Sequence, residues 1–270
     1  MSRANERLRA VAAETIDITS TGGYVSREGD RVAIGPAVAR AVAGTRLHLP
    51  DEPLTPTGPV NESPAIEVVN ATTLAAGRAL GSGAAALVFA SARNPGGGFR
   101  TGAVSQEEDI ARASALHACL ESVPAFYQHH RADPDLRYTD RVIYSPAVPV
   151  FRNDTWQLLD EPYELSFVTS AAPNLGAIRR SQPERVPSVP AVLRRRAVRV
   201  LEVAGAHGHR ALVLGAWGCG VFGNDPVTVA DAFAQALRRV ARFDRVVFAV
   251  LDRVPDTPTL RVFQETLARV

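Results

Sequence analysis

The sequence predicts an α/β fold in which a sheet is covered by helices on both faces. Three observations predict it. From about Ile66 onward, apolar runs of strand length alternate with longer stretches of helical spacing. Two of those runs, "AALVFA" (85–90) and "ALVLGAW" (211–217), are continuously apolar, as strands buried on both faces are. Each of the two leads through a glycine-rich loop into a helix, which is where open α/β sheets collect ligands.

Residues 1–20 read as a charged amphipathic helix rather than a secretory signal. In "STGGYVSREGDRVAI", turns at Gly22-Gly23 and Glu28-Gly29-Asp30 flank short β-like pieces. "GPAVARAVAGT" is a second short helix. "LPDEPLTPTGPVNESP" then packs five prolines into sixteen residues and marks a connection. Residues 1–60 are therefore expected to form an N-terminal extension and residues 61–270 the main domain. In that domain "IEVVN" is a strand and "ATTLAAGRAL" a helix that Thr72 can cap. The segment from Ser105 through "DIARASALHACL" has helical spacing. "RVIYSPAVPVF" and "LSFVTSAAPN" are strands, and Pro146 and Pro149 push the first towards a sheet edge. The remaining elements are a helix ending at Gly208, the strand 211–217, a helix from Pro226 to Val240, the strand "DRVVFAVL" and a last helix "TPTLRVFQETLARV".

Composition excludes several classes. No apolar run approaches membrane-spanning length, and no basic tail stands out, with 30 basic residues against 28 acidic ones. Neither membrane insertion nor stable nucleic-acid binding is expected. Every basic residue is Arg; its guanidinium fork suits phosphate, although arginines spread over a whole chain mark no site. Cys119 and Cys219 lack metal-ligand spacing, so no zinc site and no disulfide framework is implied. A cytoplasmic monomer is the expectation.

The first glycine loop is "SARNPGGGFRTGAVS". Gly96, Gly97 and Gly98 can take positive φ and clear side chains from a place where another group approaches the backbone. The second is "GAWGCGVFGNDP", in which Gly215, Gly218, Gly220 and Gly223 precede a helix capped by Asn224 or Asp225 with Pro226 at its first position. Its amides make a cradle for phosphate oxygens, yet neither a Walker lysine nor Gly-x-Gly-x-x-Gly spacing is present. Phe222 anchors the loop in the core or stacks on a flat ligand. Trp217 packs as core. Cys219 has no neighbouring His to activate it as a nucleophile.

Ser105-Gln106-Glu107-Glu108 fits a Ser-x-x-Glu capping box, with Ser105 accepting from first-turn amides and Glu108 reaching back. The box needs only one Glu, and the loop before it sits at the ligand edge of the sheet. A carboxylic acid here can protonate a leaving oxygen while an anomeric centre becomes oxocarbenium-like, if burial or the adjacent acid raises its pKa.

"GGGFRTGAVSQEE", with seven residues between Gly98 and Gln106, resembles the Gly-Gly-Gly…Gln-Glu-Glu signature of poly(ADP-ribose) glycohydrolases. "VVNATTLAAGRAL", "LVFASARNPGGGF", "YTDRVIYSPAVPVFRND", "SAAPN" and "LGAWGCGVFGNDP" are similar to the short bacterial-type branch, from about Ile66 to Asp252. The resemblance implies a macrodomain-like three-layer α/β/α sandwich with a mixed sheet, binding poly(ADP-ribose) and ADP-ribose. It implies Glu108 as the catalytic acid at the ribose–ribose bond and Glu107 as a ligand of the ribose hydroxyls. Gly96, Gly97 and Gly98 would approach the terminal ribose and diphosphate, Asn94 would contact a ribose, and Gln106 would belong to the substrate-binding set. Gly218, Cys219, Gly220, Val221 and Phe222 would cradle the diphosphate, with Phe222 near the adenine or its ribose. It further implies trimming from the polymer terminus, ADP-ribosylated proteins as substrates, and no metal or redox cofactor. The alternatives are removal of single ADP-ribose units from protein or nucleic acid, and a noncatalytic ADP-ribose reader.

Overall fold

The apolar run after Gly83 becomes the middle strand of a seven-stranded sheet, where Ala85 to Val88 are all buried. The structure, a computed structural model, describes residues 3–268. In chain order these form α1 (Arg3–Thr21), β1 (Gly23–Val25), β2 (Arg31–Ala33), α2 (Gly35–Gly44), β3 (Arg46–His48), β4 (Ala65–Val69), α3 (Thr73–Leu80) and β5 (Ala85–Phe89). There follow α4 (Gln106–Ala113), α5 (Leu116–Glu121), α6 (Pro124–Ala132), β6 (Val142–Arg152), β7 (Leu158–Ser170) and α7 (Leu175–Ser181). The chain closes with α8 (Val189–Ala206), β8 (Ala211–Leu214), α9 (Pro226–Val240), β9 (Arg245–Ala249) and α10 (Pro258–Leu267). Met1, Ser2, Arg269 and Val270, placed in the expected terminal helices, lie outside the described residues.

The sheet order is β3-β6-β7-β5-β8-β9-β4. Strands β7 through β4 run parallel, while β3–β6 and β6–β7 are antiparallel, so the sheet is mixed. One face packs Leu87, Leu212 and Phe248 against α8, α9 and α10 through Val200, Phe233 and Phe263. The other packs Val88, Phe167 and Val213 against α3, α4 and α5 through Leu74, Ile110 and Leu120. Burying both faces of central strands is what their unbroken apolar runs require, and the result is the expected three-layer α/β/α sandwich.

Four features depart from the sequence reading or refine it. Arg46–His48, just before the proline-rich stretch, pairs with Tyr144–Val142 as the edge strand β3, so residues of the expected extension are built into the main sheet. The proline-rich stretch itself is strapped to the body: Thr57 donates to the Gly205 carbonyl at 3.1 Å, Asn61 to the Ala241 carbonyl at 2.8 Å, and Arg242 Nη1 to the Gly58 carbonyl at 2.6 Å. The helix expected to run on from Ser105 breaks at Ser114, which is extended (φ −144, ψ 174) because it pairs with Val150 at the rim of β6. Helices α6 and α7 appear where none was expected. The edge position inferred from Pro146 and Pro149 is nearly right: β6 is second from the edge, and β3 covers only its first three residues.

Candidate functional site

The first glycine loop leaves the end of β5 and returns as a 3₁₀ turn, Phe99–Thr101, before α4 begins at Gln106. Gln106 anchors that return. Its Oε1 accepts from the Phe89 amide at 2.9 Å, and its Nε2 donates to the Leu87 carbonyl at 2.7 Å and to Thr73 Oγ1 at 3.0 Å. The whole side-chain amide is thereby spent on joining α4 to β5 and α3.

Glu107 and Glu108 point back into the loop and are 2% and 8% exposed. Glu107 Oε2 accepts from the Ser91 amide at 2.6 Å, while its Oε1 is buried with no partner among the described residues. Burial drives the Glu107 pKa well above the usual carboxylate range; the Ser91 amide opposes this, the Glu108 carboxylate adds to it, and the Gly96 amide opposes it.

The capping box does not form. Ser105 makes no side-chain cap bond; its hydroxyl donates instead to Glu108 Oε2. Glu108 Oε1 accepts from the Gly98 amide at 2.9 Å and so reaches the glycine loop rather than the Ser105 amide. Glycine is required beside it: Gly97 has φ +59, and a Cβ there would collide with Glu108 Oε1 and lie 3.0 Å from Glu107 Oε2. Behind the pair, the fully buried Arg112 guanidinium donates to the carbonyls of Ala103 and Phe99 and lies 3.0 Å from Asp109. Helix α1 backs this unit, with Thr15 Oγ1 donating to the Arg112 carbonyl at 2.6 Å and Arg9 Nε to the Thr101 carbonyl at 3.0 Å. His117 stays outside the chemistry: it packs on Phe99 with ring centroids 4.6 Å apart, and burial lowers its pKa to about 4.

The second glycine loop is held at its base and open at its tip. Gly218 has φ +71, and a Cβ there would collide with Asn224 Nδ2 and come within 2.7 Å of Ala172 Cβ. Asn224 is buried and donates to the Pro173 carbonyl at 2.9 Å. At the tip nothing stands within 4 Å of where a Gly220 Cβ would be, and Val221 is 86% exposed. Asp225, not Asn224, caps α9, its carboxylate accepting from the Thr228 amide at 2.9 Å. Trp217 is core, donating to the Ser170 carbonyl at 3.0 Å. Phe222 packs partly on the core, as its anchoring role requires, and also lines the cleft. Burial pushes the Cys219 thiol up to about 12 and so keeps it in the thiol form.

A cleft of about 560 Å³ lies beyond the strand ends, lined by Phe89, Ser105, Gln106 and the loop Ala216–Phe222. Glu107, Glu108, Asn94 and Gly96–Gly98 are not in its lining. They adjoin it through Ser105 and Gln106, the residues immediately before the acidic pair. Asn94 is exposed. Two walls were not found in the sequence. One is the β6–β7 turn, with Asn153, Asp154 and Trp156; Asp154 accepts from Thr72 at 2.8 Å. The other is Asp252, whose carboxylate accepts from the Thr259 amide at 2.7 Å at the start of α10. The Asn153-Asp154 pair was a legible turn signal; Asp252 carried none.

A family profile described as the catalytic domain of microbial-type PARG matches residues 12–153. The crystal structure of poly(ADP-ribose) glycohydrolase from Thermomonospora curvata is 47% identical over 97% of this chain and 99% of its own, with a TM-score of 0.90. The same enzyme bound to the inhibitor ADP-HPD matches at 47% identity over 96% of this chain and 99% of its own, with a TM-score of 0.88. The poly(ADP-ribose) glycohydrolase from Deinococcus radiodurans in complex with ADP-ribose is 43% identical over 87% of this chain and 98% of its own, with a TM-score of 0.80. Comparison with curated proteins gives no match. No helix among the described residues is long and apolar enough to cross a membrane.

Proposed function

The chain belongs to the microbial-type poly(ADP-ribose) glycohydrolases, and on that premise we propose how its own residues divide the hydrolysis of the ribose–ribose bond. Glu108 delivers a proton to the departing ribose oxygen as the bond to the anomeric carbon breaks. An oxocarbenium-like centre forms, water adds to it, and Glu108 takes the proton that water gives up. The sum is one bond cleaved, one water consumed and ADP-ribose released. Ser105 is the gate to this step, because its hydroxyl occupies Glu108 Oε2 and gives way to the ribose oxygen when substrate is seated. Glu107 holds the ribose hydroxyls through Oε1, the oxygen that has no partner among the described residues.

The Gly96–Gly98 backbone and Asn94 face the terminal ribose, and Gln106 holds the turn beneath it. Gly218, Cys219, Gly220 and Val221 offer backbone to the diphosphate, and Phe222 borders the adenine or its ribose. Relatives crystallised with ADP-ribose and with ADP-HPD support a nucleotide at this cleft. Membership of the short bacterial-type branch supports cleavage from the polymer terminus, with ADP-ribosylated proteins as the carriers of the polymer.

The observation that carries the reading is the linked set Gly98 amide–Glu108–Ser105, which fixes a buried carboxylate against the glycine loop. Glu108→Gln tests it. The variant is expected to bind ADP-ribose as the wild type does and to lose poly(ADP-ribose) turnover by about 10²–10⁴-fold, the usual worth of a general acid. Chromatography of the products reads turnover, and calorimetric titration reads ADP-ribose binding. Wild-type protein that leaves polymer intact while removing single units from mono-ADP-ribosylated protein would replace the polymer reading, and unchanged turnover in the variant would remove Glu108 from the mechanism.

A further inference from the structure

A second groove, of about 570 Å³, lies between α8 and α9 and shares no lining residue with the cleft. Helical spacing puts Arg194, Val198 and Glu202 in one row of α8 and Arg195 and Arg199 in the next, and α9 contributes Arg239. The carboxylates in the walls are largely engaged. Asp140 is held by both Arg195 and the buried Arg196, and Glu202 lies 3.7 Å from Arg199. Arg199 has a side chain only 8% exposed; it donates to the Leu49 carbonyl through Nη2 and keeps a buried Nε with no partner among the described residues. Arg194 and Arg239 are exposed and have no hydrogen bond or ion pair among the described residues. Asp51 at the rim is the counterweight, one free carboxylate against two free guanidinium groups.

We propose that this groove is a second anion site that takes a pyrophosphate of a poly(ADP-ribose) chain whose end lies in the cleft. The inference rests on the polymer being the substrate. Guanidinium forks match phosphate oxygens in pairs, and the polymer presents a pyrophosphate in every repeat. Occupying the groove makes binding at the cleft intramolecular, so the gain falls only to chains long enough to reach both.

The test uses the full chain carrying Glu108→Gln, to hold substrate uncleaved, with and without the pair Arg194→Gln and Arg239→Gln. Both arginines are exposed, and equal melting temperatures check the fold. Binding of size-fractionated long polymer is expected to weaken about tenfold at low salt in the double replacement. The slope of log K against log salt is expected to shrink by about 1.4, from two contacts at about 0.7 each, and the ADP-ribose dimer is expected to bind unchanged. Unchanged long-chain affinity would overturn the proposal, as would equal loss for dimer and long chain. Inorganic pyrophosphate is the second probe: if the replacements abolish its binding but leave long polymer untouched, the groove serves a free phosphate compound and the polymer proposal falls. Because binding is read on the inactive background, failure of polymer hydrolysis by the parent protein overturns the cleft reading separately.

Discussion

Glu107 is the carboxyl most altered by its surroundings, because burial favours its neutral form and the neighbouring Glu108 carboxylate does the same. The direction fixes a pH dependence of stability. Below the unfolded value, about 4.3, both states hold the proton. Between that value and the raised folded one only the folded state holds it, so this site's contribution falls as pH climbs through the window and levels off above it. Glu107→Gln keeps an acceptor oxygen for the Ser91 amide and removes the titration. Its melting temperature is therefore expected to gain on the wild type as pH rises from about 4.5 to 8, as scanning calorimetry at a series of pH values would measure. Gly97 is the second residue with a decisive environment. Gly97→Ala demands φ +59 from an L residue and collides with Glu108; displacing a reacting group by about an ångström costs about 10²-fold. A kcat loss of that size with ADP-ribose still bound is expected in steady-state kinetics.

At the scale of elements, α1 acts on the acidic pair from behind. Thr15 is buried and joins α1 to α4 through the Arg112 carbonyl, and Arg152 Nε donates to the same hydroxyl at 3.3 Å. Thr15→Val keeps the shape and leaves those groups unpaired, so a loss of about 1–3 kcal/mol is expected in urea unfolding, with Thr15→Ser restoring most of it. The central strands were legible because burial on both faces forces an unbroken apolar run, and "AALVFA" and "ALVLGAW" have no other ready reading. The glycine loops were legible for a similar reason, since Gly97 and Gly218 sit where a Cβ has no room. Strand β3 was not legible: three residues, Arg46–His48, are too few for any period to appear, and only their partner on β6 makes them a strand. The break at Ser114 was hidden likewise, because helical spacing continues through it and the competing bond, from the Ala115 amide to the Pro149 carbonyl at 3.0 Å, is made to a distant segment. The capping-box pattern misled because Ser105 and Glu108 satisfy each other instead of the helix amides.

For the whole molecule, the N-terminal segment is joined to the body by a histidine group that no short-range spacing announces. His48 Nε2 lies 2.9 Å from His207 Nε2, the His207 ring stacks on Tyr144 at 3.6 Å, and Tyr144 OH lies 2.8 Å from His209 Nε2. Burial lowers the pKa of all three histidines, that of His207 to about 4. An unfolded histidine takes up its proton near pH 6.5, whereas the folded group resists until about pH 4. Stability from this cluster is therefore complete above about pH 6.5 and is lost as pH falls towards 4. His207→Phe keeps a ring for Tyr144 and is expected to flatten that slope in denaturant titrations between pH 7 and 4, while polymer turnover at neutral pH is unchanged. The rim of β6 has a consequence of another kind. An uncovered strand is a template on which a foreign strand can polymerise. Past Tyr144, however, this one carries Pro146 and Pro149, which have no amide hydrogen to offer, and a register shift between Ser145 and Val148. Ser114 closes over Val150 beyond them. The same kinked rim that ends α4 at Ser114 thus offers a foreign strand no continuous ladder to extend.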